Sequence, residues 1–410
     1  MKKFFALLLS LAMVLALVAC GQKEPTPDTP DTPDDTTPEV EYKVAMITDY
    51  GDITDQSFNQ TTYEACKAFA EDNSIEFSYF KPAGDNTADR VAMIEKAVND
   101  GFNVIVMPGY AFGGAIVEAA PEFPDVKFIA LDVAAGDLLE TAVAKAGEAY
   151  DYTPENWDLN KYVDMSNVYC AVYQEELCGY MAGYAAVKLG YKNLGFLGGM
   201  SVPAVVRYGY GFVQGVDAAA ADLGLTDVKL NYIYGGQFFG DADITAVMDT
   251  WYQGGTEVVF ACGGGIYTSA VDAAKKANAK VIGVDVDQAG VIAKYAGVDG
   301  MTVTSAMKGL YPATYDTLTD VIVNGNWDKY VGKIATLGLV SGTDPEANYV
   351  QIPMGDGTQW SDSFTQDDYK AMVKDMFDGK ITVSNNTSSD VSAADFATVI
   401  TVDDQGSIKG

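Results

Sequence analysis

Between Lys43 and Asp285 the chain repeats one pattern: a short apolar run, a polar loop, then a stretch with apolar residues every three or four positions. Runs this short and this uniformly apolar are buried on both faces, as parallel strands are. Lys43–Thr48, Ile75–Lys81, Asn103–Gly109, Val126–Asp132 and Asn167–Tyr173 read as the strands of a first series. The spacing predicts helices over 61–73, 86–100, 113–120 and 175–189. A second series has strands at 194–198, 228–234, 257–262 and 280–285, with helices at 204–223, 242–253 and 267–277. Alternation of this kind leads to an α/β fold with helices on both faces of parallel sheets. Two such series in 410 residues predict two doubly wound lobes. Residues 136–166, rich in Asp, Tyr and Glu, break the rhythm and read as an inserted loop region. The tail from about residue 380 carries no pattern that places it.

Charge removes several classes of function. The net charge is −31 and there is no histidine. A surface so acidic repels polynucleotides and anionic lipid, so no nucleic-acid partner is expected. Without histidine there is no Ser-His-Asp triad and no histidine-ligated zinc. The five cysteines show no paired spacing, so neither a disulfide framework nor a metal site is predicted, and Cys66, Cys170, Cys178 and Cys262 fall in apolar settings. No cofactor is expected, since GxGxxG and GxxxxGK[ST] are both absent.

Cys20 stands apart. Lys2 and Lys3 precede an apolar run, Phe4 to Val18, of signal-peptide length. The run ends in Leu17-Val-Ala-Cys20, which resembles the bacterial lipobox and implies cleavage before Cys20 and a diacylglycerol on its sulfur. Residues 1–19 are then a signal peptide. Residues 20–42, with Pro25, Pro27, Pro30, Pro33 and Pro38, form an extended acidic tether.

Three aspartates, Asp49, Asp132 and Asp285, end predicted strands. In open α/β sheets the ligand lies outside the carboxyl ends of the strands, so these three converge on an interlobe cleft. A carboxylate there accepts two hydrogen bonds and suits vicinal hydroxyls. After Asp49 comes Gly51-Asp-Ile-Thr-Asp-Gln-Ser-Phe-Asn59, a loop opening a helix whose first N–H groups face a polar ligand. The plainer reading is that Asp55 or Ser57 caps that helix. Gly263-Gly-Gly265 offers either bare backbone N–H groups, with Gly264 central, or a turn that needs positive φ. Phe58 and Tyr208 fall one in each lobe and are placed to sandwich a flat ring, whereas Tyr210 and Phe212 read as core. Lys308 follows an apolar run and is placed to balance the aspartates.

Taken together these residues resemble the basic membrane protein family, the substrate-binding lipoproteins that include purine nucleoside receptors of bacterial ABC importers. The resemblance rests on Asp49, Asp55-Gln-Ser-Phe-Asn-Gln60, Phe123-Pro-Asp-Val-Lys-Phe128 with Asp132, Ala182-Gly-Tyr-Ala-Ala186, Gly195-Phe-Leu-Gly-Gly199, Gly211-Phe212, Val281-Ile-Gly-Val-Asp-Val-Asp-Gln288 and Thr304-Ser-Ala-Met-Lys308. It implies a type I periplasmic-binding-protein fold with a hinged interlobe cleft. One lobe would comprise 43–175 and 288–325, the other 176–287 and 326–400. It further implies stacking of a base by Phe58 and Tyr208, and hydrogen bonds to a nucleoside from Asp49, Asn59, Asp132, Asp285 and Lys308, with Gly264 alongside. Position 208 departs from the family, which usually has Phe there.

The expected function is a lipid-anchored receptor on the extracytoplasmic face of the cell membrane, a monomer that hands a nucleoside to an ABC permease. The alternative is another small polar ligand, such as a pentose, a signalling sugar or a flavin, on the same fold. A glycosidase-like enzyme is disfavoured because nothing sets an acid–base carboxylate pair apart. A surface adhesin is disfavoured by the cleft signature.

Overall fold

The computed structural model describes residues 41–409, so the leader, Cys20 and nearly all of the Pro-rich tether lie outside the described residues. In the first half, β1 (Lys43–Ile47), β2 (Glu76–Phe80), β3 (Val104–Pro108), β4 (Lys127–Leu131) and β5 (Val168–Tyr173) alternate with α1 (Phe58–Asn73), α2 (Thr87–Asn99), α3 (Gly113–Ala119) and α4 (Ala135–Lys145), with a short α5 (Leu159–Tyr162) before β5. The second half starts with α6 (Glu175–Lys188), β6 (Asn193–Gly198), α7 (Pro203–Asp222), β7 (Lys229–Tyr234), α8 (Ala242–Gln253) and β8 (Val258–Cys262). It continues through α9 (Tyr267–Ala277), β9 (Lys280–Asp285), α10 (Ala289–Ala296) and β10 (Thr302–Lys308). Last come α11 (Leu310–Leu318), β11 (Lys333–Leu337), β12 (Val350–Gln351), α12 (Gln366–Phe377) and β13 (Thr401–Ser407).

The strands form two sheets, in the orders β11-β5-β4-β3-β1-β2 and β12-β10-β9-β8-β6-β7-β13. Among the described residues every pairing of these strands is parallel except that of β10 with β12. In β1, Val44 and Met46 face one core with Phe69 and Val106, while Ala45 and Ile47 face another with Phe112 and Phe128. The second sheet is covered likewise, by Phe196, Phe212 and Phe260 on one side and Leu197, Met248 and Trp251 on the other. Burial on both faces is why these runs are uniformly apolar. In each sheet the strand order reverses once, between β1 and β3 and between β6 and β8, and a crevice opens at such a reversal.

Helices α6 and α7 approach until their backbones touch. A Cβ on Gly179 would lie 2.3 Å from the Tyr208 carbonyl oxygen, and one on Gly211 would lie 2.1 Å from that of Glu176. The glycines in the two helices are therefore packing surfaces, and they bring the start of α6 against the part of α7 that carries Arg207 and Tyr208.

Two expectations are corrected. Residues 136–166 are not simply a loop: α4 runs to Lys145 and buries Leu138, Leu139, Ala142 and Val143 at helical spacing. The acidic and aromatic character that obscured it belongs to the exposed residues that follow. The lobe boundaries also differ. β10 pairs in parallel with β9, Ala306 beside Val284, so 302–308 belongs to the second lobe rather than the first. β11 pairs with β5, Lys333 beside Tyr169, so 333–337 belongs to the first. The tail adds β13 to the free edge of β7.

The chain thus passes between lobes after Tyr173, after Lys308 and between β11 and β12, and these connections are bonded to one another. Gln174 donates its amide to the Leu337 carbonyl at 3.0 Å, Tyr349 to Gly338 at 3.0 Å, and Gly309 to Tyr349 at 2.7 Å. Three adjacent, hydrogen-bonded connections form the strap between the lobes, the arrangement on which hinge closure is built in two-lobed proteins.

Candidate functional site

The crevices of the two sheets face each other and enclose a cavity of about 460 Å3. That is the size of a small-molecule site. All eight residues singled out from the sequence border it: Asp49, Phe58, Asn59, Asp132, Tyr208, Gly264, Asp285 and Lys308.

The loop after β1 builds one end. Asp49 Oδ1 accepts from the amides of Tyr50 and Gly51, at 2.6 and 2.7 Å. Burial raises its pKa, and those two N–H groups with Arg90 pull the other way. Asp55 serves the start of α1: its Oδ1 accepts from the amides of Ser57 and Gln60, its Oδ2 from the amide of Asn59. These amides are therefore taken, and the helix start does not offer them to a ligand. The Asn59 side chain donates Nδ2 to Asp55 Oδ2 at 3.2 Å, while its Oδ1 is buried without a partner.

Ser57 does something else. It makes no cap; its hydroxyl donates across the cleft to Asp285 Oδ2 at 2.5 Å. A second bond joins the lobes nearby, from Gln288 Nε2 to the Gln56 carbonyl at 3.1 Å.

The other end is built around Lys308. Its Nζ lies 2.5 Å from Asp132 Oδ2, 3.4 Å from Glu175 Oε1 and 3.8 Å from Asp285 Oδ1. The rings of Phe58, Tyr173 and Tyr208 surround the same ammonium at 4.7, 5.3 and 5.6 Å from their centroids. Burial alone would favour the neutral amine, but Asp132, Asp285 and Glu175 outweigh it and hold Lys308 charged. Burial pushes the Asp132 carboxyl up to about 6; Lys308 opposes the rise, and the carboxylates of Glu175 and Asp285 add to it. Asp132 Oδ1 has no partner. Glu175, fully buried at the strap, also accepts from Arg207 Nε at 2.7 Å.

Tyr208 borders the cavity and also makes contacts of its own. Its ring is only 2 % exposed and stands edge-on to Phe260, and its hydroxyl donates to Asp285 Oδ1 at 3.2 Å. In this closed arrangement it shows little ring face to the cavity, whereas Phe58 is half-buried. Gly263 and Gly264 have φ of 142° and 51°, so the turn does need glycine, and Phe238 packs against it.

Sequence reasoning passed over Glu175, Arg207, Asp137 and Phe238, and it weighed Ser57 only as a cap. A buried acid opening a helix, as Glu175 does, is indistinguishable in sequence from a solvent-exposed residue of a helix first turn. Tyr50 and Tyr110 were also missed; both hydroxyls reach Met200 Sδ of the other lobe, at 3.6 and 3.7 Å.

Residues 42–345 match the family model Bmp, described as ABC transporter substrate-binding protein, PnrA-like. The chain belongs to this family. Among Bmp relatives, the ABC transporter nucleoside-binding protein BmpA of Lactococcus lactis is 25 % identical over 92 % of this chain and 96 % of its own length. Basic membrane protein B of Borreliella burgdorferi is 26 % identical over 76 % of this chain and 83 % of its own. An uncharacterised lipoprotein of Pyrococcus abyssi is 26 % identical over 72 % and 67 %. A crystal structure of an ABC transporter solute-binding protein from Aeropyrum pernix superposes with a TM-score of 0.63 at 19 % identity, covering 85 % of this chain and 95 % of that one. This Bmp chain is accordingly an ABC transporter substrate-binding protein with the two-lobed α/β fold of the periplasmic binding proteins.

Proposed function

We propose that this Bmp protein is a lipid-anchored, monomeric receptor on the extracytoplasmic face of the cell membrane that captures a neutral purine nucleoside for its ABC permease. One observation carries the ligand: two residues that border the cavity, Asn59 and Asp132, each keep a buried acceptor oxygen, Oδ1, without a partner. Phe58 precedes Asn59 in the chain, and the Lys308 ammonium held by Asp132 sits 4.7 Å from its ring. A nucleoside fits this order, with ribose hydroxyls for Asp132, a flat ring for Phe58 and a base edge for Asn59. The carboxylates lining the cavity, Asp49, Asp52, Asp55, Asp132, Asp137 and Asp285, outnumber its cations, Lys81, Arg207 and Lys308, which favours a neutral ligand over a phosphorylated one. The name of the Lactococcus relative and the lipobox at Cys20, with a lipoprotein among the relatives, support the ligand class and the anchor.

The buried ring of Tyr208 favours a second reading, a pentose bound without a sandwich. Mass spectrometry of ligand released from the purified protein, with thermal unfolding in added nucleosides or ribose, separates the two. A ligand bound only by the folded state raises its stability by RT ln(1 + [L]/Kd). Purine nucleosides should raise the midpoint and ribose should not; equal shifts would establish the pentose reading, and no shift with either would remove both.

A further inference from the structure

The loop that joins β7 to α8 passes over the carboxyl end of the second sheet. Its Phe238 ring packs on Gly199 and Gly263, in the turns after β6 and β8, and the Phe238 carbonyl accepts from the Gly265 amide at 2.8 Å. Phe238 and Phe239 both border the ligand cavity, and Phe239 is 57 % exposed. The two ends of the loop are tied to each other. Gln237 Nε2 donates to the Phe239 carbonyl at 2.9 Å and to Asp241 Oδ2 at 3.0 Å, while Asp241 Oδ1 caps α8 through the Ile244 amide. Lys409 completes the ring: its ammonium donates to Gln237 Oε1 at 2.9 Å and pairs with Asp241 Oδ2.

Lys409 reaches that place at the end of a strand that adds little to the core. All of β13 but Val402 is exposed, and its pairing with β7 shifts register between Asp404 and Ser407. The segment is held firmly at its two ends instead. At one, Asp217 of α7 accepts from the amides of Thr398, Val399 and Ile400 at 2.8, 2.8 and 3.2 Å, and from the Thr398 hydroxyl at 2.6 Å. At the other, the Ile408 amide donates to the Tyr234 carbonyl at 2.8 Å. Gly236, with φ of 80°, leaves room there, since a Cβ on it would lie 2.6 Å from the Lys409 carbonyl oxygen. Covering the free edge of β7 requires the ladder alone. It does not require an ammonium set between two side chains of the next loop. Residues 398–409 also lie outside 42–345, the part of the chain that matches the Bmp model.

We propose that residues 398–409 brace the Gln237–Asp241 loop, and that Lys409 is a positioning residue for ligand retention. It keeps Phe238 and Phe239 at the cavity, so that a bound ligand leaves more slowly. Lys409 does not border the cavity itself and acts through Gln237 and Asp241. The role holds for any ligand of this cavity and does not depend on its being a nucleoside. The Lys409 and Asp241 side chains are 34 % and 27 % exposed, so solvent screens the pair and its loss loosens the loop without unfolding the lobe. Rates that depend on a screened pair of this kind change by about two- to fivefold.

Lys409→Met and Lys409→Arg in the intact chain test this, with Lys374→Met, which breaks an exposed pair with Asp378, as the control. Hydrogen exchange of the ligand-free proteins, followed by mass spectrometry, reads the loop directly. Peptides covering 235–241 and 263–266 should exchange about two- to fivefold faster in Lys409→Met, and at the wild-type rate in Lys409→Arg and Lys374→Met. The urea midpoint should be the same in all four proteins. Release of labelled inosine into excess unlabelled inosine should be faster by a similar factor in Lys409→Met alone. Unchanged loop exchange in Lys409→Met would overturn the brace. So would faster exchange spread over the whole second lobe with a lower urea midpoint, which marks a merely structural role. Lys409→Arg behaving like Lys409→Met would take the assignment away from the charge, and faster loop exchange with unaltered inosine release would overturn the role in retention. A wild type that binds no inosine would count against the nucleoside reading, and loop exchange alone would then decide the brace.

Discussion

Asp132 and Asp285 occupy the same place in the two sheets, at the end of the fourth strand of each series, and both turn through positive φ, 59° and 64°. Positive φ is uncommon for a residue with a Cβ and persists where surrounding contacts over-determine it. Here the contact is shared: both carboxylates lie within 4.0 Å of the Lys308 ammonium. The equivalence ends with their other oxygens. Asp285 Oδ2 accepts from Ser57, while Asp132 Oδ1 accepts from nothing. One aspartate joins the lobes; the other keeps a buried oxygen without a partner.

Replacing Asp132 with alanine should weaken nucleoside binding about ten- to a hundredfold. A hydrogen bond to a buried charge contributes roughly 1.5–3 kcal/mol, and each 1.4 kcal/mol is tenfold. A 2′,3′-dideoxynucleoside should be nearly indifferent to the change. Calorimetry with both ligands checks this, and equal losses would take the ribose away from Asp132.

The same carboxylate should show itself in the pH dependence of stability. Burial raises it from an ordinary 3.8 to about 6, so the folded chain binds this proton more tightly than the unfolded chain does. The charged form therefore destabilises the fold above pH 6, and the effect vanishes below about pH 4, where both states are protonated. Asp132→Asn takes a partner from Lys308 at every pH but should gain on ligand-free wild type as pH rises from 4 through 6, because only wild type carries this titration. Urea unfolding at several pH values measures it; a difference that does not depend on pH would contradict the sign.

Ser57→Ala removes the hydroxyl that reaches Asp285 across the cleft. It leaves a buried carboxylate oxygen short of a donor, at a cost of about 1–3 kcal/mol to the closed arrangement alone. The ligand-free radius of gyration in solution scattering should increase, and ligand affinity should fall about tenfold. An unchanged radius with unchanged affinity would show that the bond does not hold the lobes.

Gly211→Ala should destabilise the second lobe by about 1–3 kcal/mol, because its Cβ would lie 2.1 Å from the Glu176 carbonyl oxygen. Gly290, in α10, meets nothing within 4 Å, and alanine there should be neutral or stabilising by about 0.5–1 kcal/mol. Chemical denaturation of the two variants gives the comparison.

Cys20→Ala should abolish membrane attachment. Wild type should partition into detergent and the variant should be shed or remain unprocessed; equal solubility of the two outside the cell would refute the anchor.

The sequence by itself determined what depends on short spacings. Apolar runs such as Val104–Pro108 could only be buried strands, and the helical spacing of α7 and α8 placed those elements within a residue or so. The strand-end aspartates and Lys308, the last residue of β10, were legible for the same reason, since their positions follow from where a strand stops. The tertiary structure alone decided who meets whom. Nothing near Thr302 says that β10 stays in the second sheet, because that follows from its pairing with β9. Asp55 and Ser57 looked like equivalent caps, yet one caps α1 and the other meets a partner 228 positions away. The spacing places Tyr208 as an aromatic of the second lobe, but only the fold shows that its hydroxyl donates to Asp285. Periodicity records which way a side chain leans from its own backbone. Its partner is set by the packing of distant segments, where an unpaired buried polar group costs more than a local preference gains.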